Sequence, residues 1–369
     1  LAYFAEEKAD ELSGSNTFPE DVLLVAQGNV GHVGYIPKDS KYNRFVLSQN
    51  LMKITIDQKK AIPLFIFYYL RSPEGQQEIL QYRNPTGVPC LAQPLTSFRN
   101  ILIPLPELNI QKKIVEYLLN LDHEIQNLEN QNKILEQIAQ AIFKSWFVDF
   151  DGVTEWDDSE LGKIPKGWKV TTLKNHIDIK HGYAFKGEFF SDKPTKYALL
   201  TPGNFKVGGG FKGNKIKYYD GPILEEYVLE TDDLLVTMTD LSVMGDTLGF
   251  PMYVPKFDST TFLHNQRLGK INIKNDSYLS TTFLYHLCCS LKYRIEILAS
   301  LTGSTVKHSS PERIMSFQFV LPEENKIKKF DKIITSIKEK IDRLQEIIID
   351  LKKTRDILLP KLMSGEIRV

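Results

Sequence analysis

Between Gly162 and Tyr219 stand twelve lysines against three acids, Asp178, Glu188 and Asp192, a local net charge of +9. Trp168, Tyr183, Phe185, Phe205 and Phe211 interleave with the lysines, and "TPGNFKVGGGFKGNKIK" (201–217) adds glycine and asparagine. Ammonium groups neutralise phosphates without reading sequence, whereas Asn, Gln, Ser, Thr and Arg side chains read base edges. A basic segment with flexible, hydrogen-bonding loops is a nucleic-acid footprint; a solvated lysine-rich face is the plainer alternative. The candidate contact residues are polar and loop-borne. In the second half of the chain they are Lys180, His181, Tyr183, Lys186, Asn204, Lys206, Lys212, Thr239, Asp240, Arg267, Ser304 and Lys307. In the first half they are Gln27, Asn29, His32, Arg44 and Gln49. Gln49 aligns with Gln266, which favours a shared structural job at that position over base reading.

No residue set for bond-making chemistry accompanies them. There is no phosphate-binding P-loop, no HExxH and no Pro-Pro pair of the adenine-methyltransferase kind, and the seven histidines lack metal-ligand spacing. "GNVGHVG" (28–34) resembles a nucleotide loop but sits between two strand-like runs, so a turn explains it better. The chain is therefore expected to catalyse nothing itself and to hold no metal. Its three cysteines suit free thiols in a reducing cytoplasm. The longest apolar run, "AIPLFIFYYL", is half a membrane span.

An internal repeat supplies the elements that must carry these residues. "TGVPCLAQPLTSFRNILIPLPE" (86–107) aligns without gaps on "TGSTVKHSSPERIMSFQFVLPE" (302–323), an offset of 216 residues. Upstream, "EDVLLVAQGNVG" matches "DDLLVTMTDLSVMG", "FVLSQNLMKI" matches "TFLHNQRLGKI", and "LFIFYYL" matches "TFLYHLC", all in the same order. The second copy opens with "SELGKIPKGWKVTTL", for which the first has no counterpart. With Leu1 in place of an initiator Met, the first copy is expected to be incomplete at its N-terminus.

Each copy runs into a long helix whose apolar residues step by four and three, the heptad signature of a coiled-coil seam. In the first helix the seam is Ile114, Leu118, Leu121, Ile125, Leu128, Asn132, Leu135, Ile142 and Trp146. In the second it is Ile334, Ile337, Ile341, Leu344, Ile348, Leu351 and Leu358, with Arg355 at one position. Asn132 is the polar seam residue expected to fix register. Pseudo-two-fold symmetry implies that the two helices pack antiparallel. The expected fold is α+β: two globular domains in pseudo-two-fold repeat, separated by two long antiparallel coiled-coil helices, a dumbbell. The expected divisions are a first domain over 1–107, a first helix over 108–149 and an acidic, solvated linker over 150–161. A second domain over 162–322, a second helix over 323–363 and a tail over 364–369 follow.

Four stretches tie this layout to a family. "ILIPLPELNIQKKIVEYL" leads into the first helix, "AIFKSWFVDFDG" ends it, "SELGKIPKGWKVTTL" opens the second domain and "LLPKLMSGEIRV" ends the chain. With the repeat they make the chain resemble the specificity (S) subunit of type I restriction–modification enzymes. That resemblance implies two target-recognition domains, each reading half of a bipartite site on double-stranded DNA, with the helices as a ruler for the gap. It also implies two methyltransferase (M) subunits using S-adenosylmethionine, and restriction (R) subunits using ATP and Mg, with no cofactor in this chain. A coiled-coil protein-interaction scaffold without sequence-specific DNA reading is the alternative. Phe143, Trp146, Phe147 and Phe150 fall at i, i+3, i+4 and i+7, one helical face. They are read as the anchor joining the first helix to the second domain, with partner docking as an addition.

Overall fold

Two 40-residue helices, Leu108–Phe147 and Glu324–Met363, dominate the computed structural model, and both bounds of the second lie 216 residues beyond those of the first. The structure describes every residue except 1, 2, 4, 85, 86, 214, 215, 241, 243, 258 and 300–306. The chain divides into a first unit, residues 1–132 with 343–369, and a second unit, residues 133–342. Each unit thus holds part of both helices. None of the named seam side chains between Ile114 and Leu358 is exposed, as an apolar stripe at heptad spacing requires.

The helices run antiparallel within each unit. In the first, Arg355 meets Asp122 at 2.8 Å and Lys352 meets Glu129 at 2.7 Å, so numbers rise along one helix as they fall along the other. In the second, Phe143 and Phe147 near the end of one helix contact Phe330 near the start of the other, with ring centroids 5.7 and 5.2 Å apart. Asn132 is buried, and its Oδ1 has no hydrogen-bond partner among the described residues.

In the first unit, strands Val33–Tyr35, Val22–Val25 and Leu51–Ile54 form an antiparallel sheet in that order. "GNVGHVG" supplies the turn between the first two, with Gly28 and Gly31 at φ 88° and 92°. Helix Pro63–Arg71 packs on the sheet, burying Phe65, Tyr68 and Leu70 with Val22 and Leu24. Ile114 and Leu118 of the first long helix and Leu359, Leu362 and Met363 of the second close this core.

The second unit has two four-stranded sheets. One orders Ile177–His181, Leu268–Ile273, Leu234–Thr237 and Pro251–Tyr253, all antiparallel. The other orders Phe190–Ser191, Lys217–Tyr219, Tyr197–Leu200 and Thr261–His264, the last pair parallel. Strand Lys169–Thr172 pairs antiparallel with Gln318–Leu321. The repeat counterpart of the latter, residues 102–105, pairs with no strand among the described residues, and Leu102 is 81% exposed. Beside it lies a cavity of about 490 Å³ lined by Pro104, Ile110, Ile114, Leu362, Met363 and Val369. Leu362 and Met363 are the counterparts of Trp146 and Phe147 in the second unit.

Two sequence-based expectations change here. The first long helix ends at Phe147, not at 149, so Phe150 is not on its face. Its φ of 57° is left-handed, and its ring meets Trp156 and Trp168 at 6.1 and 5.8 Å. The acidic stretch is not merely a solvated linker, because Trp156–Ser159 pairs with Gly162–Pro165 as a hairpin. Its acids find local partners: Glu155 pairs with Lys166 at 2.7 Å, and Asp157 accepts the Gly167 N–H at 2.9 Å.

Burial also sets a pH response. His286 lies in the second unit's core, stacked on Phe143 and hydrogen-bonded through Nδ1 to Gln140 Oε1 at 2.9 Å. Burial pushes its pKa down to about 4. A pKa depressed in a histidine means that the unfolded chain binds the proton first as pH falls. Stability is then complete above the ordinary value near 6.5 and drains between there and about 4, by about 2 kcal/mol at pH 5. Urea titrations at pH 7 and pH 5 should show this loss; His286→Phe should remove the share of His286 and leave that of His264, whose pKa burial also pushes down to about 4.

Among the described residues no helix is long and apolar enough to cross a membrane, and no cluster of His, Cys, Asp or Glu could hold a metal ion.

Candidate nucleic-acid interface

In the second unit, three chain segments meet at one end of the first sheet. The strand Ile177–His181 runs out through Gly182 to Tyr183, whose N–H donates to His264 O at 2.8 Å. The turn Asn265–Arg267 joins strands Thr261–His264 and Leu268–Ile273. The short strand Thr239–Asp240 pairs with Lys307–His308. A Cβ on Gly182 would lie 2.3 Å from Asn265 O, so only glycine lets strand and turn approach this closely. His181 and Arg267 are exposed here, and Tyr183 is 38% exposed.

Tyr183 lies against Tyr227 and Phe185, with centroids 5.3 and 5.2 Å away. Lys180 is tied down: its ammonium donates to Glu226 O at 2.7 Å, lies 3.6 Å from the Glu226 carboxylate and sits 4.9 Å from the Tyr227 ring centre. Thr239 and Asp240 are buried. Asp240 accepts the Ser242 N–H at 2.7 Å and both the N–H and the hydroxyl of Thr247. Burial alone would raise the Asp240 carboxyl, but these bonds outweigh it and hold the carboxyl below its ordinary value. Asp240 therefore shapes its loop from within. Lys307 is half-buried opposite it, and Ser304 lies outside the described residues.

The glycine-rich stretch is anchored rather than loose. Asn204 is buried and caps the local turn, its Oδ1 accepting the Thr201 N–H at 2.9 Å. Lys206 lies 3.9 Å from Glu136 on the first long helix. A Cβ on Gly209, at φ 98°, would meet Cys289 Sγ at 2.8 Å and the Tyr285 hydroxyl at 3.1 Å. Lys212 and Lys186 are exposed, the latter 3.8 Å from Glu188. These neighbours are helix and loop residues other than those of the Arg267 turn.

The first unit builds the same junction. The Ala26 N–H donates to Asn50 O at 2.8 Å, as the Met238 N–H does to Arg267 O at 3.0 Å. The Leu91 N–H donates to Ala26 O, as the Ser309 N–H does to Met238 O. Gln27 bridges to Cys90 as Thr239 pairs with His308. Gln27, Asn29, His32 and Gln49 are exposed. Arg44 is engaged by Asp10 at 2.7 Å. Sequence reasoning missed Asn50, Asn265, Gln266 and His308 as junction residues. The signal was available in the tripeptides "SQN" and "NQR", which share a central glutamine.

Phe143, Trp146 and Phe147 pack into the second unit's core with Phe283, Phe330 and Trp168. Lys326 lies over Trp146, 4.4 Å from a ring centre.

Residues 5–138 match the family model of the type I restriction modification DNA specificity domain. The chain is similar to the MjaIX specificity subunit of Methanocaldococcus jannaschii, 26% identical over 372 residues, covering 98% of this chain and 81% of that one. It is also similar to the HindI specificity subunit of Haemophilus influenzae, 24% identical, covering 94% and 86%. Among solved structures it resembles the type I S subunit from M. genitalium, with TM-score 0.47 and 16% identity, covering 94% and 83%. Residues 5–138 thus match the type I specificity domain, and the chain as a whole is similar, over nearly its full length, to specificity subunits of type I restriction enzymes.

Proposed function

We propose that this subunit reads a bipartite site on double-stranded DNA, one half with each unit, and recruits the subunits that act on it. The observation that carries this reading is the recurrence of one junction in both units, with exposed Gln27 and Gln49 in the first and exposed His181 and Arg267 in the second. Two copies of a polar reading edge suit two half-sites. Methylation of adenine by two M subunits with S-adenosylmethionine, and cleavage by R subunits with ATP and Mg, belong to the partners, in the cytoplasm. Exposed apolar residues on the long helices, Ile134 and Ile138 four residues apart and Ile357 on the other, offer surface for M-subunit docking.

Reconstitution with its methyltransferase subunits and S-adenosylmethionine should yield methylated adenines at two short sequences separated by a constant gap. Retention of the purified chain on duplex DNA should fall steeply with salt. Methylation at undivided or random sequences would contradict the bipartite reading. A chain that binds partners but shows no salt-sensitive DNA retention would be a scaffold instead.

A further inference from the structure

The turn at the centre of each junction is anchored through its backbone, the second unit's more completely. In the second unit the Arg267 N–H donates to Asn265 Oδ1 at 3.0 Å, the Leu268 N–H to Asn265 O at 3.0 Å and the Gln266 N–H to Tyr183 O at 3.0 Å. His264 Nε2 reaches Leu268 O at 2.9 Å beneath it. In the first unit the Leu51 N–H donates to Ser48 O at 3.0 Å in the same way, and Asn50 O accepts the Ala26 N–H. The backbone is therefore held without help from the tip side chains. Gln49, Asn50, Gln266 and Arg267 are all exposed, and among the described residues none of their side-chain polar groups forms a hydrogen bond or ion pair. Arg44 and Lys180, by contrast, are engaged by Asp10 and Glu226. Glutamine occupies the tip of both turns; the residue after it differs, Asn50 in one unit and Arg267 in the other.

We propose that these equivalent turns are the base-reading fingers of their units, and that the position after the glutamine selects the base: guanine by Arg267, adenine by Asn50. This rests on the DNA-reading function proposed above and names the ligand of that site. The chemistry follows from donor geometry. A guanidinium presents a planar fork to the O6 and N7 acceptors of guanine, and a carboxamide pairs with N6 and N7 of adenine, both from the major groove. A turn anchored through its backbone holds such forks in fixed orientation, as directional hydrogen bonds require. By contrast, Thr239 and Asp240 are buried and bonded to His308, Ser242 and Thr247, so they make no base contact.

The test is selection from a randomised duplex library by the full chain, with Arg267→Ala, Arg267→Lys and Asn50→Arg alongside it, each first checked for unchanged thermal melting. The wild-type chain should enrich a sequence with guanine at one position of one half-site. Arg267→Ala should reduce that preference about 10-fold or more while leaving every other position intact. Arg267→Lys should keep overall affinity and lose part of the preference. Asn50→Arg should convert one adenine of the other half-site to guanine. Replacing the selected guanine by 7-deazaguanine, which lacks the N7 acceptor, should weaken the wild-type chain and not Arg267→Ala. Unchanged selection by Arg267→Ala, or equal weakening on all sequences as a phosphate contact would give, overturns the finger assignment alone. A wild-type chain that enriches no sequence overturns the DNA-reading function, and this inference with it.

Discussion

Phe143→Ala is expected to remove about 3–5 kcal/mol from the stability of the second unit. Phe143 is fully buried and its ring touches Phe147, Phe283, Phe330 and His286. The deleted ring leaves a void that this rigid aromatic cluster fills poorly, so the cavity term adds to the lost burial. All three tryptophans, Trp146, Trp156 and Trp168, belong to the second unit. Urea denaturation followed by tryptophan fluorescence therefore isolates it. Phe150→Ala, at a half-buried ring beyond the helix end, should cost about 1 kcal/mol in the same assay. Equal losses for the two would mean that the helix-end cluster is not the centre of this core.

The second large effect lies in the first unit. Asp122 accepts the Tyr68 hydroxyl at 2.7 Å and the Arg355 guanidinium at 2.8 Å, where Arg355 stands at a seam position otherwise held by aliphatics. Burial opposes the Arg355 charge, but its bonds to Asp122 and Asp356 outweigh this and raise its pKa. Burial, with Asp122 adding to it, likewise raises the Tyr68 hydroxyl well above its ordinary value. Asp122→Ala leaves the Tyr68 hydroxyl without its acceptor and leaves the half-buried Arg355 only its exposed neighbour Asp356. A fully buried pair would cost 3–5 kcal/mol to break. These side chains retain 18% and 25% exposure, so about 2–3 kcal/mol is expected after solvent screening. Combining it with Arg355→Leu restores a continuous apolar seam and should recover most of the loss. A double-mutant cycle read by hydrogen exchange in helix Pro63–Arg71 measures this. Additive losses would show that the pair is not coupled.

Much of the architecture was legible because it rests on periodicity. The four-three stepping of Ile114 to Ile142 and of Ile334 to Leu358 marks the seams, and the 216-residue offset recurs in both helix bounds. The individual candidate contact residues were legible only by type. Arg267, His181 and Gln49 are exposed; Asn204, Thr239 and Asp240 have the same polar chemistry but are buried, with side chains engaged inside loops. Residue identity says what a side chain can donate or accept, and burial decides whether a ligand can use it.

The helix-end aromatics divide the same way. Local spacing placed Phe143, Trp146, Phe147 and Phe150 on one helical face, but a left-handed φ at Phe150 is a backbone event that spacing does not encode. The repeat, the two long helices and the polar inventory of the loops can be read from residue order, because they rest on recurring segments, local periodicity and residue type. Which polar groups are engaged internally, the anchoring of the glycine-rich stretch on helices, and the equivalence of the "SQN" and "NQR" turns emerge in the folded chain. Those outcomes depend on hydrogen bonds between residues far apart in sequence, such as Ala26 with Asn50 and Met238 with Arg267, and such pairings exist only once the strands have found their register.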